Sequence, residues 1–288
     1  KPLALTLNEA KRMQETVEKA GVVHMVSHNY RFAPAVQLTK KLIEEGRIGK
    51  IYHIRAHYLQ DFLMDPQSPM TWRLRKEVSG SGALGDIGTH IIDLARFLVG
   101  EFKEVVGTTE TFIKERPFED KAGKPSGRDY GKVTVDGATA FLAHFENDVL
   151  GVFEATRFAG GNRNKNKFEI NGEKGSIRWD LEHMNMLEVF LEDDDPELQG
   201  FRTINCTEEQ HPYGGTYWPP GHIIGYEHTF IHLIHELING ISKGTKPEPN
   251  FSDGVKNQAV LEAVEQSAKT GRWINIPRLL DSNNHESE

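Results

Sequence analysis

From Val105 onward the chain carries a series of short apolar runs: Val105–Ile113, Val133–Phe145, Leu150–Thr156, Lys167–Ile170, Ser176–Trp179, Leu187–Leu191 and Phe201–Asn205. Most of the gaps between them are too short to carry the chain from one end of a sheet to the other, so consecutive strands should pair antiparallel. Asn147 and Asp148, and the Asn171–Gly175 stretch, supply turn residues at two of the gaps. Upstream, Ile51–Gln60 reads as a further strand, with His53, Arg55 and His57 opposite Ile54, Tyr58 and Gln60. The polar, Gly- and Pro-containing segment Lys114–Lys132 reads as a surface loop. The expected fold class is α+β, a large, mostly antiparallel open sheet with helices on one face.

The flanking segments supply the helices. Thr6 or Asn8 caps a helix that runs to Ala20 and stops at Gly21. Val22–His28 then reads as a short buried strand, Asn29–Pro34 as a loop and Ala35–Glu45 as a helix ended by Gly46. This helix-strand-helix order resembles the tail of a doubly wound α/β domain. It divides the chain into residues 1–29, the C-terminal remnant of a dinucleotide-binding Rossmann domain, and residues 30–288, a sheet-based domain for substrate and assembly. An opening at Lys1 instead of Met reads as a fragment or a processed chain. Near the other end, the aromatic loop Gly214–His222 feeds a helix at Ile223–Ile241, followed by a helix at Asp253–Thr270, a closing Trp273–Ile276 and a polar tail after Asp281.

The segment Gly80–Gly100 begins with glycines and passes into a helix, and Gly80, Gly82 and Gly85 imitate a dinucleotide-binding turn. Such a turn needs a buried strand before it, and Met70–Ser79 is charged and not strand-like. At about 100° per residue, Asp86, His90, Asp93 and Phe97 share one side, while Ile87, Ile91, Leu94, Ala95 and Leu98 form a separate apolar stripe. Asp86 and His90, one turn apart, are placed to hydrogen-bond or to act on one substrate. Taken alone, a satisfied, half-buried His90 capped by Asp86 is the simpler reading.

Charge and composition narrow the partners. The net charge of −8, with acids concentrated in Glu192–Glu197, argues against a nucleic-acid or anionic membrane surface. No apolar run approaches the ~18 residues that span a bilayer. A lone Cys206 excludes an internal disulfide framework and suits a cytoplasmic setting. His222, His228, His232 and His235 lack the spacing of a zinc motif, so no metal is expected. Arg31 between Tyr30 and Phe32, and Arg73 after Trp72, are arginines beside rings, suited either to clamping a hydroxylated or anionic ligand or to surface stacking. Tyr58 and Gln60 share a strand face and can line a polar pocket.

Lys1-Pro2 before a helix and strand, the Asn29–Pro34 segment, Gly46–Gly49 before a strand, Trp72-Arg73 and Asp86–His90 occur in an order that resembles the glucose-fructose oxidoreductase, inositol dehydrogenase and MocA family. The resemblance covers nearly the whole chain. It implies an enzyme that binds NAD or NADP and transfers hydride between nicotinamide and a secondary alcohol of a sugar, anhydrosugar or cyclic polyol. It assigns catalysis to Lys1, Asp86 and His90, substrate contact to Tyr30, Arg31, Tyr58, Gln60 and Tyr226, and the cofactor side to Trp72 and Arg73. It also implies a homodimer or homotetramer through the sheet. The glycine-rich phosphate loop of that family is not among these residues, so this chain by itself should bind the dinucleotide poorly. Two alternatives remain: NAD-assisted glycoside cleavage within the same family, and a non-catalytic binding or assembly module without a nucleotide domain.

Overall fold

The computed structural model describes residues 1–119 and 125–281. Helix α1, Leu7–Ala20, is set by a capping box: the Thr6 hydroxyl accepts from the Glu9 amide and the Glu9 carboxylate accepts from the Thr6 amide. Gly21, at φ 63°, ends it in the left-handed region. The strand expected at Val22–His28 does not form. The segment has no sheet partner among the described residues, Val22 and Val23 are exposed, and Val26 donates its amide to the Pro249 carbonyl at 2.8 Å. An apolar run becomes a strand only where a neighbour satisfies its backbone, and the run itself does not encode that neighbour.

A buried 3₁₀ turn, Asn29–Phe32, leads into α2, Pro34–Glu44, with Pro34 in its first turn. Strand β1 is Ile51–Leu59 and the short helix α3 is Lys76–Ser79. A single π-helical turn at Leu84–Gly88 runs directly into α4, Thr89–Leu98. The strands β2 Phe102–Glu110, β3 Glu115–Glu119, β4 Pro125–Lys132, β5 Ala138–Phe145, β6 Leu150–Thr156, β7 Lys165–Gly172, β8 Gly175–Asp180, β9 Met186–Leu191 and β10 Arg202–Asn205 follow. Helices α5 Tyr226–Lys243 and α6 Phe251–Thr270, strand β11 Ile274–Asn275 and helix α7 Ile276–Asp281 complete the chain. The tail after Asp281 lies outside the described residues.

Nine strands form one mixed sheet in the order β10-β9-β8-β7-β1-β6-β5-β2-β11. Every neighbouring pair is antiparallel except β1 and β6, which run parallel. Short connections account for the antiparallel β5–β6, β7–β8, β8–β9 and β9–β10 pairs, whereas β1 and β6 are separated by a long excursion that includes α4, and such a crossover permits parallel pairing. The parallel pair sits at the middle of the sheet, with both strands ending at Leu59 and Thr156 beside the site described below. Helices α2, α4 and α6 pack on one face, where Phe153, Phe168, Trp179 and Ile92 are buried. The other face leaves Leu142, Leu150 and Val152 exposed at 43%, 41% and 38%.

The surface loop expected at Lys114–Lys132 is instead the β3–β4 hairpin, with residues 120–124 outside the described residues. Its anchor is Arg116, 1% exposed, which donates to the backbone carbonyls of Leu63, Asp65 and Ser68. Glycine and proline hid the strands from a composition-based reading, because the hairpin is held by a long-range guanidinium contact and not by an apolar pattern.

Candidate active site

The π-helical turn at Leu84–Gly88 has its amino end clamped by Asp136. Its carboxylate accepts from the Gly82 amide at 2.6 Å and the Leu84 amide at 2.8 Å, and its backbone carbonyl accepts from the Ala83 amide at 3.1 Å. This is a helix N-cap supplied from a remote loop. The approach is so close that a Cβ on Gly82 would lie 1.8 Å from the Asp136 carbonyl oxygen. The glycines of this segment therefore serve close packing, and α3 precedes them, not a strand. Asp136→Ala should cost about 0.5–2 kcal/mol of stability, the usual loss of an N-cap, and should lower kcat as the turn relaxes. Asp136→Asn, which keeps one acceptor oxygen, should recover part of both; urea unfolding and steady-state kinetics on the pair check this.

Asp86 projects from that turn toward two cations. Its Oδ1 lies 3.7 Å from Lys1 Nζ and its Oδ2 lies 3.7 Å from Arg157 Nη1, while Lys1 Nζ also donates to the Asp86 backbone carbonyl. Burial lowers the pKa of the Lys1 ammonium and the Asp86 charge opposes this. The hydrogen bond expected from Asp86 to His90 is not made. Widening to the π pitch between the two residues invalidates the α-helical spacing on which that contact was inferred.

His90 is 6% exposed and has no hydrogen-bond partner among the described residues. Its ring is enclosed by Tyr30, Tyr58 and His28, with centroid distances of 4.5, 5.8 and 5.8 Å. Burial, then the nearby Lys1 and His28, hold its pKa well below 6.5. The imidazole is thus neutral, with nitrogen lone-pair capacity uncommitted to the protein.

Beneath it lies a buried polar layer. Asp93 Oδ2 accepts from Arg31 Nε and its Oδ1 from Arg31 Nη2, both at 2.7 Å, and Asn257 Nδ2 adds a third hydrogen bond at 3.0 Å. Burial would raise the Asp93 pKa, but the Arg31 charge, with His28 and these hydrogen bonds, takes it down to about 2. Arg31 also reaches Asp253 and stacks over Phe97. Arg31, expected at the substrate, is therefore spent on internal carboxylates and supports the layer on which His90 rests. His28, whose pKa burial lowers to about 4, accepts from Asn257 at its Nε2.

The remaining expected residues surround His90 or the Lys1 side. Tyr30 and Tyr58 share a hydroxyl hydrogen bond of 2.8 Å, Tyr58 donates to Asn164 Oδ1, and Gln60 Nε2 donates to the same oxygen at 2.9 Å. Burial raises the pKa of both phenols, that of Tyr30 to about 12. Half-exposed Tyr226, at the start of α5, lies 6.1 Å from the Tyr30 ring. Trp72 is half exposed with the Arg73 guanidinium 4.5 Å over its ring, and both line a cavity of about 270 Å³ together with Lys1, Asp86 and Arg157. A second cavity of about 450 Å³ is lined by Asn164, Met184, Ile224 and Tyr226 among others.

Arg157, Asn164, His28, Asp136 and Asn257 were not singled out in the sequence. Arg157 and Asn164 lie just beyond β6 and just before β7, and the signal that could have marked them is the carboxyl end of a parallel strand pair, which no local pattern reveals. The α5 histidines have local duties: His232 bonds the Phe32 carbonyl and the Tyr217 hydroxyl, His228 accepts from the Gly225 amide, and His235 pairs with Asn239.

With this geometry in place, comparisons place the chain among known proteins. Residues 36–178 match the GFO/IDH/MocA C-terminal domain. Levoglucosan dehydrogenase from Pseudarthrobacter phenanthrenivorans is 43% identical over 286 residues, covering 97% of this chain and 73% of that protein. The chain belongs to the Gfo/Idh/MocA family. Two solved structures agree closely with its backbone. An oxidoreductase domain protein from Kribbella flavida superposes with a TM-score of 0.92 at 49% identity, covering 96% of this chain and 73% of that one. Levoglucosan dehydrogenase in complex with NADH and L-sorbose superposes with a TM-score of 0.93 at 43% identity, covering 97% and 73%. No helix among the described residues is long and apolar enough to cross a membrane.

Proposed function

We propose that this Gfo/Idh/MocA protein is an NAD(P)-dependent dehydrogenase acting on a secondary alcohol of a sugar, anhydrosugar or cyclic polyol, with Lys1, Asp86 and His90 as its catalytic residues. The observation that carries the reading is a neutral His90, without a hydrogen-bond partner among the described residues, beside a Lys1–Asp86 pair and inside a ring of tyrosines. The levoglucosan dehydrogenase relatives, one of them solved with NADH and L-sorbose, support it.

The residues at the Lys1 cavity fit a dinucleotide, whose anionic diphosphate suits the cations Lys1, Arg73 and Arg157 and whose rings suit the exposed Trp72 face. Bound there, that group supplies the acceptor for the hydride of the carbinol carbon. His90 takes the hydroxyl proton at a ring nitrogen, which its depressed pKa keeps unprotonated. Lys1, held by Asp86, donates to the substrate oxygen and stabilises the charge that develops on it. Arg157 fixes the other Asp86 oxygen, and Arg31 with Asp93 supports the floor under His90.

In this reading residues 1–29 belong with a dinucleotide-binding unit and residues 30–288 form the sheet-based domain. The exposed Leu142, Leu150 and Val152 support assembly through the open sheet face. The deciding experiment incubates the complete protein with NAD or NADP and a panel of anhydrosugars, aldoses and cyclitols. Equal amounts of reduced cofactor and keto product are expected for at least one neutral sugar. Release of an aglycone from a glycoside without net reduced cofactor would move the assignment to redox-assisted cleavage, and no turnover of either kind would remove it.

A further inference from the structure

Helix α5, Tyr226–Lys243, is fixed to the body of the protein by one face. Thr229, His232, Leu233 and Gly240 are buried; the Thr229 hydroxyl accepts from Asn29 Nδ2 at 2.8 Å, His232 bonds the Phe32 carbonyl, and a Cβ on Gly240 would lie 2.9 Å from Pro247 Cδ. These contacts set the rotation of the helix, so its other face cannot turn inward. That face is apolar. Ile231, Ile234, Ile238 and Ile241 are between 48% and 59% exposed, and Ile223, Tyr226 and Phe230 continue the patch toward the amino end. Single exposed apolar residues are ordinary, but a contiguous stripe of this kind marks an interaction surface. Isoleucine also has no local reason to be there, since its β-branched side chain is a weaker helix former than the alanine, lysine or glutamate that suit a solvated face.

The spacing identifies the partner. Steps of three, four and three residues give a 3.5-residue period, the seam of a two-helix packing, and isoleucine stands at all four positions. Such a seam is self-complementary: across a two-fold axis Ile231 of one copy faces Ile241 of the other, and Ile234 faces Ile238. Glu227, one turn before Ile231, lies on the same line with its side chain 74% exposed. Parallel helices would bring the two Glu227 carboxylates together at one end. Antiparallel helices separate them and set each near the other helix's carboxyl end, where Lys243 and Lys246 supply positive charge. With Ile223, Tyr226 and Phe230 the stripe exposes on the order of 700 Å², close to the ~800 Å² that each partner of a stable interface contributes.

We infer that α5 is a self-association surface, on which two copies of this chain pack antiparallel through Ile231, Ile234, Ile238 and Ile241. The contact is separate from the open sheet face and does not depend on the reaction the protein catalyses.

The test is the mass of the complete protein in sedimentation at micromolar concentration. Ile234→Glu combined with Ile238→Glu places four carboxylates on the seam and should halve the assembled mass, while far-UV circular dichroism stays at the wild-type level. Leu142→Glu with Val152→Glu, on the sheet face, reports that contact separately. Should the α5 variant not fold, cross-linking decides: a short bis-maleimide should join Ile234→Cys into a covalent dimer and should leave Ile223→Cys, far from the two-fold axis, as single chains. Cys206 is buried and does not compete. A wild type that sediments as one chain, or an α5 variant that keeps the wild-type mass, overturns the proposal; if that variant also loses stability, the stripe is covered by a further segment of the same chain. Equal cross-linking at Ile223 and Ile234 overturns the antiparallel arrangement.

Discussion

In the complete protein, His90→Ala should lower kcat by about two to four orders of magnitude, the usual contribution of a general base, while dinucleotide affinity stays within a few-fold of wild type. The separation is expected because His90 touches Tyr30, Tyr58 and His28, whereas the cationic cavity is lined by Lys1, Arg73 and Arg157. Quenching of tryptophan fluorescence, with Trp72 in that cavity, reports the binding half of the result. The pH profile carries a second signature. A base must be unprotonated to work, and His90 is held well below 6.5 by burial and by Lys1, so kcat/KM should stay level as pH falls through 6.5. In Lys1→Met the neighbouring positive charge is gone and His90 binds its proton more readily. The acid limb should therefore move to higher pH even though overall turnover is reduced. Turnover of His90→Ala within a few-fold of wild type would sink the assignment.

The largest stability effect is expected at Asp93. Asp93→Ala leaves the Arg31 guanidinium, 3% exposed, with Asp253 as its remaining carboxylate partner, and breaking one side of a buried pair typically costs about 3–5 kcal/mol. Asp93→Asn keeps the shape and an acceptor and should lose less. Replacing both Asp93 and Arg31 by apolar residues of similar volume should recover much of the loss, because the cost lies in the stranded charge. Urea unfolding of the three variants makes the comparison, and an Asp93→Ala protein as stable as wild type would contradict the buried-pair account.

The pH direction follows from the same layer. Asp93 is depressed to about 2 from an ordinary carboxylate value, so its contribution is complete above about pH 4 and is lost as pH falls toward 2. His28 is likewise depressed, from 6.5 to about 4. The unfolded chain takes up that proton first, so stability should already begin to fall below about pH 6.5 and should continue down to about 4. His28→Gln should make this upper part of the curve shallower in urea unfolding across pH, with His90 contributing the remaining slope, and leave the lower part in place.

The sequence carried much of this architecture because the relevant signals are local. The Thr6–Glu9 capping box, Gly21, Pro34 and the short turns between strands act over a few residues, and the structure shows each element where those residues indicate it. Asp86 and His90 could be picked out because they share a short helical segment, and Trp72, Arg73, Tyr30 and Tyr58 because they carry ring or cation chemistry at readable positions.

What the tertiary structure alone decided involves partners far apart in the chain. Val22–His28 has strand composition but no ladder neighbour among the described residues, and Lys114–Lys132 has loop composition but carries a hairpin anchored by Arg116. Arg31 looked available to a ligand until Asp93 and Asp253 claimed it. Asp136 lies about fifty residues further along the chain, yet it caps the turn from which Asp86 reaches Lys1 and Arg157 in place of His90. The sequence by itself determined which side chains can do acid-base and hydroxyl chemistry, since that depends on residue type and local spacing. Their partners depend on burial and on contacts across the sheet, and those exist only once the whole chain has closed around them.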